Sequence, residues 1–283
     1  MTFIRRRTAA LLAFVLVGSL TACAPEPSIP GPKELASSQS ARAKEPAESK
    51  ERAKVEAENE QPDATEADTK QPTPESVTET RFDRQAHSID DPMSIWVVGN
   101  KLRPLTPIEF EPPDLVATEG VANDNGQPLR EVAARATEQL IAGARDAGFD
   151  LRIISAYRTH GLQVQLYNSY IARDGQAAAD TYSARPGHSE HQTGLTVDLD
   201  DYGACYLASC FGDTPAGQWL AANAASYGFI ERYPAGKEHV TGFMPEPWHF
   251  RYVGPELAHE MQRTGVTTLE EFFDLPAAPD YAG

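Results

Sequence analysis

Apolar positions recur along this chain at helical and strand spacing, and the two periods alternate only in its second half. Val132, Ala136, Leu140, Ile141 and Ala144 follow one another at helical spacing, which predicts a helix over "LREVAARATEQLIAGARDAGF", with Gly148 placed to stop it. "LRIISAYR" is a continuous apolar run that reads as a buried strand, and a second helix is expected from about Gly161 to Arg173. Leu195, Val197 and Leu199 alternate with Thr196, Asp198 and Asp200, the signature of a strand with two distinct faces. Pro215 opens a third helix reaching Tyr227, "GFIERY" reads as a further strand, and a helical turn follows "EPWHFRYV". Upstream, Ile95 to Val98 is a short β-like run inside Pro-punctuated extended chain. Helices mixed with a few short strands predict an α+β fold, a small antiparallel sheet flanked by helices.

The first part of the chain has no such pattern. From Ala24 to Thr80 there is no Phe, Tyr or Trp, and the large aliphatics are Ile29, Leu35, Val55 and Val77 alone. Such a composition cannot bury enough apolar surface to offset its conformational entropy. Residues 24–90 are therefore expected to be a disordered acidic tether, residues 91–275 the folded domain and residues 276–283 a C-terminal tail. Ahead of the tether, Arg5, Arg6 and Arg7 precede an apolar run that ends at Ala22. That run is short for a membrane span, which takes about 20 residues, and has the layout of a secretory signal. "LTAC" resembles a lipobox, making residues 1–23 a lipoprotein signal and Cys23 the lipidated, membrane-anchored mature N-terminus. A flexible tether of that length spans on the order of 40 Å, enough to place the domain in the cell-wall zone, extracytoplasmic and anchored.

Charge narrows the partners. The formal net charge is −16 and no Lys/Arg cluster follows Arg7, which argues against nucleic acid. Cys205 and Cys210, separated by four residues in an exported chain, are expected to form a disulfide.

The candidate chemistry lies in "SEHQTGLTVD". His191 and Asp198 offer imidazole and carboxylate donors of the kind zinc takes, with Gly194 allowing the backbone to turn between them. A third ligand must come from elsewhere, and His249 in "PEPWHFRY" is the candidate. Glu246, held between Pro245 and Pro247, is excluded from a helix face shared with His249, but a tight turn would bring both to one ion, where Glu246 can accept a proton. Taken singly these are ordinary residues: a His-x6-Asp spacing is weak, Glu246 reads as a solvated loop carboxylate and Arg158 as a surface or salt-bridging arginine. Their combination and order make the case.

"SAYRTHGLQ", "ARPGHSEHQTGLTVDLD" and "TGFMPEPWHFRYVG" resemble the three signature blocks of the VanY-type D-alanyl-D-alanine carboxypeptidases, LAS-group zinc peptidases of peptidase family M15 that trim peptidoglycan stem peptides; the likeness spans about Ile95 to Pro255. The resemblance implies the LAS/hedgehog-like fold, Zn2+ on His191, Asp198 and His249, and Glu246 as general base and acid. It implies Arg158 as the group that stabilises the oxyanion or the substrate carboxylate. It also implies substrate contacts from Gln163, Ser189, Ser155 and Tyr157. His188 is expected at the pocket mouth, and His87, His160, His239 and His259 at the surface or in support. The expected activity is that of an extracytoplasmic D,D-carboxypeptidase acting as a monomer. The alternatives are an L,D-carboxypeptidase acting on tetrapeptide stems and a zinc-containing module that binds stems without cutting them.

Overall fold

The computed structural model describes residues 82–282. The signal segment, Cys23 and the tether as far as residue 81 lie outside the described residues.

The strands are β1 (Leu115–Val116), β2 (Ala122–Asn123), β3 (Leu129–Arg130), β4 (Arg152–Ser155), β5 (Thr196–Asp200), β6 (Phe229–Glu231) and β7 (His249–Tyr252). The α-helices are α1 (Glu131–Asp146), α2 (His160–Asp174), α3 (Gln176–Ala179), α4 (Pro215–Asn223), α5 (Glu238–Thr241), α6 (Pro255–Thr264) and α7 (Leu269–Phe272). The main sheet runs β2-β4-β5-β7-β6, antiparallel except at its β2 edge, which pairs in parallel with β4. The small β1-β3 ribbon stands apart from it.

Sequence explains most of these elements locally. In α1 the buried stripe is Ala133, Ala136, Thr137, Leu140, Ile141 and Ala144; Val132, read as part of it, faces out. Helix α2 is capped by the Thr159 hydroxyl, which accepts from the Leu162 amide at 3.1 Å, and ends at Gly175, whose φ of 81° most side chains avoid. The helix expected from Pro215 to Tyr227 tightens after Asn223 into a 3₁₀ turn, Ala224–Tyr227. Leu195, Val197 and Leu199 are buried against α1, but Thr196, Asp198 and Asp200 are buried as well, so β5 is covered on both faces.

Three expectations are corrected. The run Ile95–Val98 is not a strand, because arginine side chains take its carbonyls: Arg251 Nη2 donates to Ile95 O (3.1 Å) and Val97 O (2.7 Å), and Arg103 Nε to Val98 O (3.1 Å). Residues 82–90, assigned to the tether, pack on the domain: the Phe82 ring stacks on Trp96 at 5.5 Å, His87 meets the same indole edge-on, and Ile89 O accepts from Val98 N. Nor do residues 276–282 trail free, since Ala278 N donates to Val240 O and Lys101 Nζ to Pro279 O. Among the described residues no helix is long and apolar enough to cross a membrane.

Candidate metal centre and cleft

The central antiparallel pair β5-β7 builds the site, because its register sets Asp198 directly opposite His249. His191 arrives from the 3₁₀ turn Glu190–Thr193, and the chain returns to β5 through Gly194. Gly194 has φ +68°, and a Cβ there would lie 2.9 Å from Arg130 Cγ and 3.0 Å from Leu115 Cδ2, so close packing as well as conformation requires glycine.

His191 Nε2 lies 3.3 Å from Asp198 Oδ2, and His249 Nδ1 lies 3.1 Å from Asp198 Oδ1. Tetrahedral ligands on bonds of about 2.1 Å stand about 3.4 Å apart. Asp198 Oδ1 is buried without a hydrogen-bond partner, a costly condition for a carboxylate oxygen unless a cation faces it. The His191 tautomer is set from behind: Nδ1 donates to Ala156 O at 2.7 Å and leaves the Nε2 lone pair toward Asp198. Two imidazoles and a carboxylate, all buried and with ligand atoms within 4.8 Å of one another, fit Zn2+. Burial opposes ionisation of Asp198, but His191 and His249 together hold its carboxyl well below the usual carboxylate range.

Glu246 reaches the same point by the turn its flanking prolines permit. Its amide donates to Tyr233 O (3.0 Å), His249 N donates back to Glu246 O (2.9 Å), and Glu246 Oε2 stands 3.4 Å from His249 Nδ1. Burial drives its carboxyl up to about 8, with His249 opposing and Asp198 reinforcing. A buried carboxyl beside a metal site can take up a proton and return it.

Arg158 follows β4 and turns its guanidinium toward the same cleft. Its Nη1 donates to Gln163 Oε1 (2.7 Å), its Nη2 contacts Ser155 Oγ (3.3 Å), and its amide donates to His191 O. The cleft, about 640 Å³, is lined by Ser155, Arg158, Ser189 and all four residues of the metal and proton-transfer set. Gln163 and Tyr157 are not on its wall. Gln163 is buried behind Arg158, to which its side-chain oxygen is bonded, and its amide nitrogen also donates to Ala184 O at 2.6 Å. The Tyr157 ring is buried away from the cleft, its amide donating to Pro128 O. His188 packs edge-on against Tyr281 with Nδ1 against Asn100 O, and so does not reach the pocket mouth. Cys205 and Cys210 are joined, spanning a loop whose Leu207 lines the cleft.

Sequence reasoning missed two groups. Asn125, Gln127 and Tyr233 line the cleft from segments with no motif, and Trp248 lines it from within the third signature block, where it was given no role. Behind the metal ligands lies a buried ionic cluster: Arg232 Nε meets Glu190 Oε1 at 3.0 Å, Arg251 Nη1 meets the same oxygen at 2.8 Å, and Arg232 is paired through its other nitrogens with Glu270. Glu190 and Arg251 lie within signature blocks, which was the signal available, whereas Arg232 and Glu270 lie outside them and the contact among the four was not readable.

Comparisons with known proteins agree on one family. The sequence model described as VanY, D-alanyl-D-alanine carboxypeptidase, matches residues 126–255. YodJ of Bacillus subtilis (strain 168), named for carboxypeptidase activity, is 37% identical over 192 residues, covering 66% of this chain and 70% of that protein. The bifunctional D-Ala-D-Ala dipeptidase and carboxypeptidase VanXYC of Enterococcus gallinarum is 37% identical over 185 residues, 63% of this chain and 93% of that one. Among solved structures, the LdcB LD-carboxypeptidase superposes with a TM-score of 0.60 at 36% identity, covering 65% of this chain and 87% of that chain. A mutant of the D,D-pentapeptidase VanY from a VanB-type vancomycin resistance cassette, solved in complex with Zn(II), gives 0.54 at 31% identity, covering 64% and 98%.

Proposed function

The chain belongs to the VanY family of D-alanyl-D-alanine carboxypeptidases, and from that premise we propose that it removes the terminal D-alanine of peptidoglycan stem peptides outside the cytoplasmic membrane, tethered there by lipid on Cys23. The observation that carries the reading is Glu246 beside a buried His/Asp/His set, with the guanidinium of Arg158 on the same cleft. A module that only bound stems would have no use for a buried proton acceptor at that point.

The cofactor is Zn2+, held by His191, Asp198 and His249, and when bound it supplies Lewis acidity that polarises a carbonyl and acidifies water. Glu246 accepts the proton of the attacking water and delivers it to the leaving amine of D-alanine. Arg158 offers N–H donors to the negative charge that develops on the substrate, or to its terminal carboxylate, and Gln163 and Ser155 hold the guanidinium so that it need not reorganise. Ser189, buried at the cleft wall, is placed to contact the peptide.

D-Ala-D-Ala ends are favoured by the names of the relatives, including the carboxypeptidase VanXYC and a VanYB structure in complex with D-alanine-D-alanine. L,D cleavage of tetrapeptide stems is the second reading, favoured by the likeness to LdcB. Mass spectrometry of products from defined pentapeptide and tetrapeptide stems tests both. D-alanine released from the pentapeptide alone establishes the first, and release from the tetrapeptide alone replaces it with the second.

Membrane placement rests on the lipobox-like "LTAC" and the composition of the tether. C23A should shift the expressed protein from the membrane to the soluble fraction.

A further inference from the structure

One face of helix α2 forms a wall of the cleft. Leu162, Leu166, Tyr170 and Arg173 all line it, at the spacing of a single helical stripe, while Gln163 and Tyr167 turn into the protein. Gln163, bound to Arg158, fixes the N-terminal end of that stripe at the metal site. From Leu162 to Arg173 the wall runs about 16 Å, which two extended residues at about 3.4 Å each and a long side chain reaching toward the guanidinium can cover. A carboxypeptidase has only one residue on the leaving side of the scissile bond. The far wall therefore serves the upstream part of the stem.

Arg173 at that far end is built in. Its Nε and Nη2 are engaged by Asp174 (2.9 and 2.7 Å to Oδ2), Nη2 also meets the Tyr182 hydroxyl at 3.3 Å, and its guanidinium stands 5.0 Å from the Tyr170 ring centroid, with Tyr170 and Tyr182 themselves edge to face. Nη1 makes no hydrogen bond among the described residues, and the side chain is 64% exposed. Arg158 and Arg173 are the two arginines of the cleft wall, and Arg158 is committed to the metal end.

We propose that Arg173 is a specificity residue that binds a carboxylate on the side chain of the third stem residue, so that the preferred substrate carries there an amino acid ending in a carboxylate beside an ammonium, rather than an ammonium alone. Three partners fix the guanidinium, so little rotamer freedom is left to lose on binding. Its unengaged Nη1 offers N–H donors to which a carboxylate bonds with charge assistance, a carboxamide only through a neutral oxygen, and an ammonium not at all.

This inference rests on the carboxypeptidase reading, and its test separates the two. Release of D-alanine by the full-length protein is measured on three D-Ala-D-Ala-terminated stems that differ only at the third residue: meso-diaminopimelate, its side-chain carboxamide, and L-lysine. Wild type should show kcat/KM about tenfold higher on the free carboxylate than on either other stem, the order of one charge-assisted hydrogen bond. R173A should bring the three values together, and R173K should retain part of the preference. Zinc content is read alongside, and the wild-type ratio stands whether or not a variant folds. Equal wild-type rates on the three stems, a preference for lysine, or a carboxylate preference that survives in R173A would overturn the role of Arg173 while leaving the carboxypeptidase intact. No release from any stem would overturn both.

Discussion

Arg232 and Glu270 are locked together by two hydrogen bonds, 2.9 and 2.7 Å, with both side chains wholly shielded from solvent. The pair extends through Glu190 to Arg251, tying the turn that carries His191 to the strand that carries His249. Removing one member leaves a charge stranded in the core, at a cost of about 3–5 kcal/mol. E270A should therefore lower the denaturant midpoint steeply, and equilibrium unfolding measures it. Burial raises the Glu270 carboxyl, but Arg232 outweighs it and the folded value ends below the ordinary 4.5. A carboxylate depressed in this way stabilises the fold above the unfolded pKa and loses that contribution as pH falls below 4.5 toward the folded value. Wild type should weaken over that acid range, and E270A should lose this component of the pH dependence.

Each zinc ligand should be indispensable. With three protein donors available, H191A, D198A and H249A should each abolish stoichiometric zinc, checked by elemental analysis, and lose turnover with it. Chelation of the wild type should abolish activity and lower Tm, because a metal bound only by the folded state stabilises that state. Zinc at full occupancy in any one variant would remove that residue from the set.

E246Q keeps the size of the side chain and deletes the proton acceptor. Glu246 meets His249 at 3.4 Å but is not needed to complete the three-ligand set, so this variant should retain zinc. Its kcat should fall by about 10²- to 10⁴-fold, with KM changed much less, because the lost interaction belongs to the transition state. Steady-state kinetics on a D-Ala-D-Ala-terminated stem gives both numbers, and near-wild-type kcat would exclude Glu246 as the base.

The site was legible in the sequence where chemistry depends on residue type and short spacing. His191, Asp198, Glu246 and His249 were readable together, because their order and combination match signature blocks of a zinc-peptidase family, although each spacing taken alone is weak. Long-range relations were not readable. Nothing in "SIWVV" announces that Arg251, more than 150 residues later, supplies the hydrogen bonds a strand partner would have given. The tether boundary was misplaced for the same reason: Phe82 and His87 look isolated in sequence and become structural only against Trp96. Gln163 was expected to contact substrate but lies off the cleft wall, bonded to Arg158, because only the orientation of α2 shows that residue 163 turns away from the stripe of 162, 166 and 170.

That reassignment of Gln163 gives a further expectation. Its side-chain oxygen accepts from Arg158 Nη1 at 2.7 Å and its nitrogen donates to Ala184 O at 2.6 Å, so one buried amide ties the arginine to the segment that carries Ala184. Q163A should free the guanidinium to sample other rotamers without removing it. Turnover should fall by about tenfold or more, the order of losing one hydrogen bond to a charged group, and R158A should fall further. A double-mutant cycle separates positioning from packing. If Gln163 acts through Arg158, then Q163A in the R158A background should cost little additional kcat/KM. If it acts by packing alone, the two losses should add, and the fall in Tm should be the same in both backgrounds. Q163E, which keeps an acceptor for Arg158 but sets a second oxygen against Ala184 O, should be worse than its size suggests.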